Sequence, residues 1–218
     1  MIIAGVEEAG RGPVIGPMVM SIVVIEEKDE FKLDILGVKD SKQLTPKKRE
    51  ELFSLIKDTV KDFKILIITP EEIDNAVHSD ESNLNWLEAD KTVEFINSMK
   101  VDKVILDCPS NNITEYKEYV QTKLKNSKVE LVVEHKADEN YLIVGAASIL
   151  AKVTRDKEIE RLKRKYKVDF GSGYPSDPFT VQFLEKNYDK YPIFRKSWSS
   201  WKRIALNKNQ KKLFDFKV

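Results

Sequence analysis

Two apolar runs near the N-terminus predict a pair of β-strands. Residues 2–6 and 18–25 are rich in valine and isoleucine, and β-branched residues favour strands. The stretch between them is rich in residues that favour tight turns, namely Gly10, Gly12, Pro13, Gly16 and Pro17. We therefore expect a hairpin whose connection is a constrained loop.

Two threonine–proline pairs mark the starts of helices. Thr45 and Thr69 are candidate N-caps, and the proline after each of them suits the first helical position. Glu72 stands three residues after Thr69, which completes the pattern of a capping box. These signals predict one helix from residue 46 to about 60 and another from residue 70.

From residue 63 onward, strand and helix patterns alternate. Strands are predicted at residues 63–68, 101–107 and 129–134, and helices at 82–99, 113–124, 138–166 (one long helix or two) and 179–187. The alternation favours an α/β fold in which helices flank a mixed sheet. The stretch after Trp201 is polar and basic, and we expect it to be loosely attached.

The composition narrows the possible chemistry. Hydrophobic residues make up 41% of the 218 residues and charged residues 33%, which is typical of a soluble globular protein. No apolar run has membrane-spanning length, so we expect a cytoplasmic protein without a membrane partner. With one cysteine and two histidines, a disulfide framework and a zinc centre rich in these residues are excluded. A metal site would be built from carboxylates, which suit Mg²⁺ or Mn²⁺.

Charge is distributed unevenly along the chain. Residues 152–218 contain 18 lysines and arginines against 8 acidic residues, a net charge of +10, whereas residues 1–151 carry −9. An acidic body with a basic segment fits a polyanionic substrate. A lysine-rich, solvated helix surface would give the same count, so both interpretations stand at this point.

Acidic residues stand at the ends of three predicted strands or just beyond them: Glu7, Glu8, Asp107 and Asp138. If neighbouring strands run parallel, these ends share one edge of the sheet. Four carboxylates brought together would repel one another unless cations lay between them. Two divalent ions bridged by carboxylates are the usual arrangement for attack of water on a phosphodiester.

Each acid also has a structural alternative. Asp138 could cap the following helix, Asp107 could end its strand at a turn, and Glu8 could pair with Arg11 on the surface. Spacing along the sequence does not show that the acids converge.

Five segments together are more specific than any of these patterns. They are EEAGRGPVIGPMV from Glu7, KDSKQL from Lys39, LDCP from Leu106, EHKADENYLIVGAASILAKVTRD from Glu134, and GSGYPSDP from Gly171. In order and spacing they resemble the motifs of the ribonuclease HII family, the type 2 ribonucleases H, in an archaeal-like form. The match runs from residue 2 to about residue 203.

The resemblance implies a fold and an activity. The fold would be an RNase H-like mixed five-stranded sheet flanked by helices, with residues 1–165 as the catalytic core and 166–218 as a C-terminal helical substrate-binding portion with a terminal tail. The activity would be metal-dependent cleavage of RNA–DNA hybrids and of single ribonucleotides in duplex DNA, 5′ to the ribonucleotide, leaving 3′-hydroxyl and 5′-phosphate ends. Such a monomeric enzyme would serve ribonucleotide excision repair and DNA replication.

The resemblance also assigns site residues. The catalytic, metal-binding acids would be Glu7, Glu8, Asp107 and Asp138, holding two Mg²⁺ or Mn²⁺ ions. The turn Gly10, Arg11 and Gly12 would read the 2′-hydroxyl at the RNA–DNA junction, and Tyr174 would help to recognise that junction. Nucleic-acid backbone contacts would come from Lys39, Ser41 and Lys42.

The chain departs from the family pattern at one position, where Glu7 stands in place of aspartate. The longer side chain could misplace a metal ion, so the alternative is a hybrid-binding protein with impaired cleavage. A further alternative is a nuclease of the same fold that cuts plain DNA.

The C-terminus carries a separate signal. Gln210, Leu213 and Phe216 have the spacing of a sliding-clamp-binding peptide, although Lys217 replaces the usual second aromatic residue. A terminal helix packing Leu213 and Phe216 onto the body would explain the same residues. Trp198 and Trp201 are expected to anchor the C-terminal segment, with stacking on nucleotides as the alternative.

Overall fold

The protein, described here from a computed structural model that covers residues 1–39 and 41–215, contains a five-stranded sheet. Its strands are β1 (Ile2–Ala9), β2 (Met18–Glu26), β3 (Asp62–Ile68), β4 (Lys103–Asp107) and β5 (Glu130–Glu134). Their order across the sheet is β3-β2-β1-β4-β5. The β1–β2 and β2–β3 pairs are antiparallel, whereas β1–β4 and β4–β5 are parallel. The predicted hairpin and mixed sheet are confirmed.

Helices cover both faces of this sheet. They are α1 (Phe31–Leu36), α2 (Pro46–Thr59), α3 (Pro70–His78), α4 (Leu84–Asn97), α5 (Ile113–Lys123), α6 (Ala137–Asn140), α7 (Leu142–Tyr166), α8 (Pro178–Asn187) and α9 (Ser199–Asp215), with short 3-10 turns at Glu27–Asp29 and Ser41–Gln43. Among the described residues, no helix combines the length and apolar character needed to cross a bilayer.

The two predicted helix starts, at residues 46 and 70, are confirmed together with their N-caps. Thr45 Oγ1 accepts the N–H of Lys48 at 3.2 Å, and Thr69 forms both hydrogen bonds of a capping box with Glu72. The region 138–166 resolves into two helices, because the backbone at Tyr141 is extended. The expectation of a loose stretch after Trp201 is wrong where the structure describes it, since α9 continues there and buries Ile204 and Ala205.

The two faces of β1 belong to different apolar clusters. Ala4 and Val6 pack with α3, α4 and α5, whereas Ile3 faces α7, α2 and α1. Consecutive strand residues point to opposite faces of a sheet, so β1 is buried on both sides. The middle strand is thereby fixed between two layers of helices.

A third apolar cluster joins the N-terminal loop to the C-terminal helices. Ile15 forms a bridge with Phe194, and the N–H groups of Val14 and Ile15 both donate to Gly173 O, at 2.9 and 3.2 Å. Ile159 of α7 and Phe183 of α8 belong to the same cluster. The predicted division of the chain after residue 165 stays a prediction.

Gly5 allows β1 and α7 to approach closely. A Cβ atom on Gly5 would lie 2.6 Å from the backbone carbon and oxygen of Ile143, and backbone cannot move aside cheaply. We expect Gly5→Ala to lower the free energy of unfolding by about 2 kcal/mol, measured by urea denaturation.

Gly145→Ala is the matched control, because a Cβ there would meet its neighbours at an ordinary 3.5 Å. Alanine is also the better helix former, so this variant should be as stable as the wild type or more so. An equal loss of stability in both variants would contradict the explanation.

Candidate active site

Strands β1 and β4 end side by side, and their ends bring two of the predicted acids together. Val6 and Leu106 form the last parallel pair of the two strands, and Glu7 and Asp107 each follow by one residue. By strand alternation both side chains point to the α7 face. Glu8 points to the opposite face, yet lines the same cleft at the strand end.

Asp138 reaches the site through the short helix after β5. Asp107 Oδ1 accepts the N–H of Ala137, the first residue of α6, at 3.0 Å, which ties this helix to the end of β4. Asp138 is 3% exposed and lies inside α6, whose N-cap is Lys136. The alternative that Asp138 caps a helix is therefore wrong, whereas Asp107 does end its strand at a turn.

Burial and mutual repulsion raise the pKa values of Glu7, Glu8 and Asp107. Burial, and then the charges of Glu8, Asp107 and Asp138, raise the pKa of Glu7 well above its usual range. Burial raises the pKa of Glu8 to about 7, opposed by Arg11. The pKa of Asp107 is also raised, chiefly by burial. Burial and repulsion thus disfavour the charged forms of these three carboxylates.

Lys42 places a positive charge beside these acids. Its Nζ donates to Asp138 Oδ2 at 3.1 Å, and its charge opposes the rise in the pKa values of Glu7, Glu8 and Asp107. The neighbouring Ser41 Oγ lies 2.8 Å from Ser148 Oγ of α7, which holds the 41–43 turn in place. Ser41 and Lys42 line the cleft, whereas Lys39 is exposed and is not among its lining residues.

The carboxylates have unused oxygen atoms that suit a divalent cation. Glu7 Oε2 and Asp138 Oδ1 are buried and have no hydrogen-bond partner. Hard cations prefer carboxylate oxygens as ligands, so the residues present fit Mg²⁺ or Mn²⁺. Within the described residues, however, no three acidic, histidine or cysteine side chains stand close enough to share one ion, and Lys42 compensates part of the charge.

The predicted recognition residues line the same cleft, which has a volume of about 310 Å³. The turn of residues 10–12, called the 10–12 turn below, faces Tyr174, whose Cε1 atom would lie 3.6 Å from a Cβ atom on Gly12. The guanidinium of Arg155 lies 5.3 Å from the centre of the Tyr174 ring and donates to Ser172 O at 2.9 Å. The Tyr174 loop is thereby held beside the turn.

Among the described residues Arg11 forms no ion pair with Glu8, contrary to one of the alternatives above, although its charge opposes the rise in the pKa of Glu8. It forms an ion pair with Glu88 and donates to Asn85 Oδ1 at 2.6 Å, both on α4. Glu88 is 1% exposed, and burial raises its pKa well above the usual range. A glutamate on the buried, largely apolar face of α4 is the sequence signal that could have indicated this contact.

Arg195 is a site residue that the sequence patterns do not indicate. It is 0% exposed and donates to three main-chain oxygens, Gly10 O at 2.6 Å, Arg11 O at 2.8 Å and Gly16 O at 3.0 Å. Burial, followed by the charge of Arg155, lowers its pKa to about 9, so it is a cation at pH 7.

Both tryptophans near the C-terminus act as anchors, as predicted. Trp198 Nε1 donates to Gly12 O at 3.1 Å, and Trp201 Nε1 donates to Tyr188 O at 2.9 Å. Of the predicted clamp-binding residues, Gln210 and Leu213 fall within α9, and Phe216 lies outside the described residues.

Comparison with known proteins gives matches over nearly the whole chain. The family model of ribonuclease HII matches residues 4–202. Ribonuclease HII of Pyrococcus horikoshii is 47% identical, with 99% of each chain covered. The crystal structure of the ribonuclease H2 from Pyrococcus horikoshii OT3 aligns with a TM-score of 0.86 at 48% identity, covering 94% of this chain and 97% of that chain. The RNase HII of Archaeoglobus fulgidus, in the structure of its complex with PCNA, aligns with a TM-score of 0.82 at 37% identity, covering 91% and 96%.

Proposed function

This chain belongs to the ribonuclease HII family, whose members are metal-dependent ribonucleases that cut the RNA strand of RNA–DNA hybrids. From this premise we propose that it also cuts at single ribonucleotides embedded in duplex DNA. Cleavage falls 5′ to the ribonucleotide and leaves a 3′-hydroxyl and a 5′-phosphate. The observation that carries this proposal is that acids and a turn with free amides line one cleft. Such an activity would serve ribonucleotide excision repair during replication in the cytoplasm.

Glu7, Glu8, Asp107 and Asp138 would hold the divalent ions, two of them in this proposal, either Mg²⁺ or Mn²⁺. Bound there, the ions would supply an activated water and charge stabilisation for the departing oxygen. The support lies in the unpartnered oxygens Glu7 Oε2 and Asp138 Oδ1. The raised pKa values of Glu7 and Glu8 point the same way, because a bound cation would stabilise the charged forms that burial and repulsion disfavour.

The predicted recognition residues bind and orient the nucleic acid in this proposal. Main-chain N–H groups of the 10–12 turn hydrogen-bond the 2′-hydroxyl, the group by which a protein distinguishes RNA from DNA. Tyr174 packs against the sugar beside that turn. Lys42, Ser41 and the exposed Lys39 contact the phosphate backbone, and the basic residues of the C-terminal portion add to this attraction.

The test uses two labelled duplexes that differ only by one ribonucleotide. With Mg²⁺ or with Mn²⁺, we expect a single nick 5′ to the ribonucleotide and no cut in the all-DNA control. A gel shift without a nick, or equal cutting of both duplexes, would overturn the proposal. The comparisons do not support the alternative of a hybrid-binding protein with impaired cleavage.

We also propose that the C-terminal peptide binds a sliding clamp through Gln210, Leu213 and Phe216. The support is its sequence pattern together with the related RNase HII of Archaeoglobus fulgidus, whose structure is of a complex with PCNA. Deleting residues 210–218 should abolish clamp binding in a pull-down while the ribonucleotide duplex is still nicked at the wild-type rate. Clamp binding by the shortened protein would contradict this role.

A further inference from the structure

The three carbonyl groups of the 10–12 turn are all held by one segment close to the C-terminus. Arg195 binds Gly10 O and Arg11 O, and Trp198 binds Gly12 O. The segment itself is fixed from its other side, because Asp74 accepts the N–H groups of Lys196 and Ser197 at 2.8 and 2.9 Å. The main chain of the turn is therefore held through its carbonyl oxygens, whereas the Arg11 side chain is held separately by Glu88 and Asn85.

Peptide geometry converts this grip into an orientation of the amides. In a planar trans peptide the C=O and the following N–H point in opposite directions. The carbonyls of Gly10 and Arg11 point inward to Arg195, so the N–H groups of Arg11 and Gly12 point outward. Among the described residues no acceptor is hydrogen-bonded to either N–H, and both residues line the cleft.

The chemistry of Arg195 suits this task better than that of other side chains. A guanidinium has five donors in a rigid fork, and here three of them reach three different carbonyls. Within the described part of the chain no carboxylate lies at ion-pair distance from Arg195. Its charge is compensated by these carbonyls and by the ring of Trp198, whose centre lies 4.9 Å from the guanidinium carbon. A buried charge is costly unless polar groups compensate it. The three carbonyl groups are therefore held with their oxygens towards the guanidinium. The left-handed backbone at Gly10, with φ of +82°, completes the turn.

We propose that Arg195 and Trp198 are positioning residues for substrate selection: by holding the carbonyls of the 10–12 turn they aim the N–H groups of Arg11 and Gly12 at the 2′-hydroxyl. This inference rests on the proposed function of the turn. It predicts that loosening the grip weakens the preference for a ribonucleotide while leaving the general affinity for duplex DNA in place.

The experiment measures a ratio of affinities, which does not depend on the fraction of active protein. Fluorescence anisotropy in EDTA gives Kd for a duplex with one ribonucleotide and for the identical all-DNA duplex. We expect the preference to fall about threefold in Trp198→Phe, which loses one donor, and about tenfold in Arg195→Lys, which cannot span three carbonyls. The all-DNA Kd should stay the same.

Trp201→Phe is the matched control, because it removes the same kind of indole N–H hydrogen bond three residues further along the chain, at Tyr188 O instead of the 10–12 turn. Its preference should equal that of the wild type. If Arg195→Lys fails to fold, Trp198→Phe alone decides. An unchanged preference in Trp198→Phe, or an equal loss of both affinities, overturns the positioning role. Nicking by the wild type tests the proposed function separately. If the wild type nicks the ribonucleotide duplex but shows no binding preference for it, only the positioning role is refuted. If it neither nicks nor shows a preference, both proposals are refuted.

Discussion

Replacing Asp107 by asparagine is expected to slow cleavage of a ribonucleotide-containing duplex about a thousandfold. The change removes one negative charge beside Glu7 and Asp138, in the proposed metal-binding site. The fold should survive, because Asp107 Oδ1 accepts the Ala137 N–H and an asparagine oxygen can accept the same bond. Single-turnover rates with saturating enzyme, together with the unfolding midpoint, measure both effects.

Asp102→Asn provides the control at the opposite end of the same strand. Asp102 precedes β4, where its Oδ2 accepts the N–H of Ile2 at 2.7 Å, far from the cleft. Its rate should stay within about twofold of the wild type. If the Asp107 variant kept a rate within about tenfold of the wild type, Asp107 would not be a metal ligand.

Replacing Glu7 by aspartate is expected to raise the rate with Mg²⁺ by between about tenfold and a hundredfold. Glu7 and Asp107 stand at nearly the same level on adjacent strands. Compared with an aspartate at position 7, the extra methylene of glutamate places the carboxylate oxygens about 1.5 Å further from the backbone. Mg²⁺ tolerates little departure from octahedral geometry. Shortening the side chain breaks no hydrogen bond of Glu7 Oε2.

Two comparisons make the Glu7 prediction specific. The gain should be smaller with Mn²⁺ than with Mg²⁺ if geometry at the ion is the cause. Glu8→Asp makes the same change in length at the neighbouring acid, where the family pattern has glutamate, and should lower the rate. A wild type as fast as the Glu7→Asp variant in saturating Mg²⁺ would refute the explanation.

Elements governed by local chemistry are the ones that the sequence predicts well. The capping box at Thr69 and the cap at Thr45 depend on residues three positions apart, so their signals are complete within one turn of chain. The hairpin of β1 and β2 likewise follows from two β-rich runs and a glycine-rich loop. Helix α1 gives no such signal, since it is short and exposes Phe31 and Ile35.

The site depends on contacts that no local pattern contains. Position at strand ends suggests that Glu7 and Asp107 meet, but only the parallel pairing of β1 with β4 makes them neighbours. The pairing of Arg11 with Glu88 and the grip of Arg195 on the turn join residues 77 to 185 positions apart. The direction of a carbonyl depends on the three-dimensional path of the backbone, so the family resemblance names the turn without revealing what holds it.

The distance along the chain between Arg195 and the 10–12 turn has a consequence for biosynthesis. Contacts of such separation form late, because the intervening chain must first be closed into a loop. On the ribosome, the last of the four acids is made at residue 138, whereas the donor that fixes the turn follows 57 residues later. Nascent or truncated chains that end between these points would therefore contain the complete set of acids before the turn beside them is anchored.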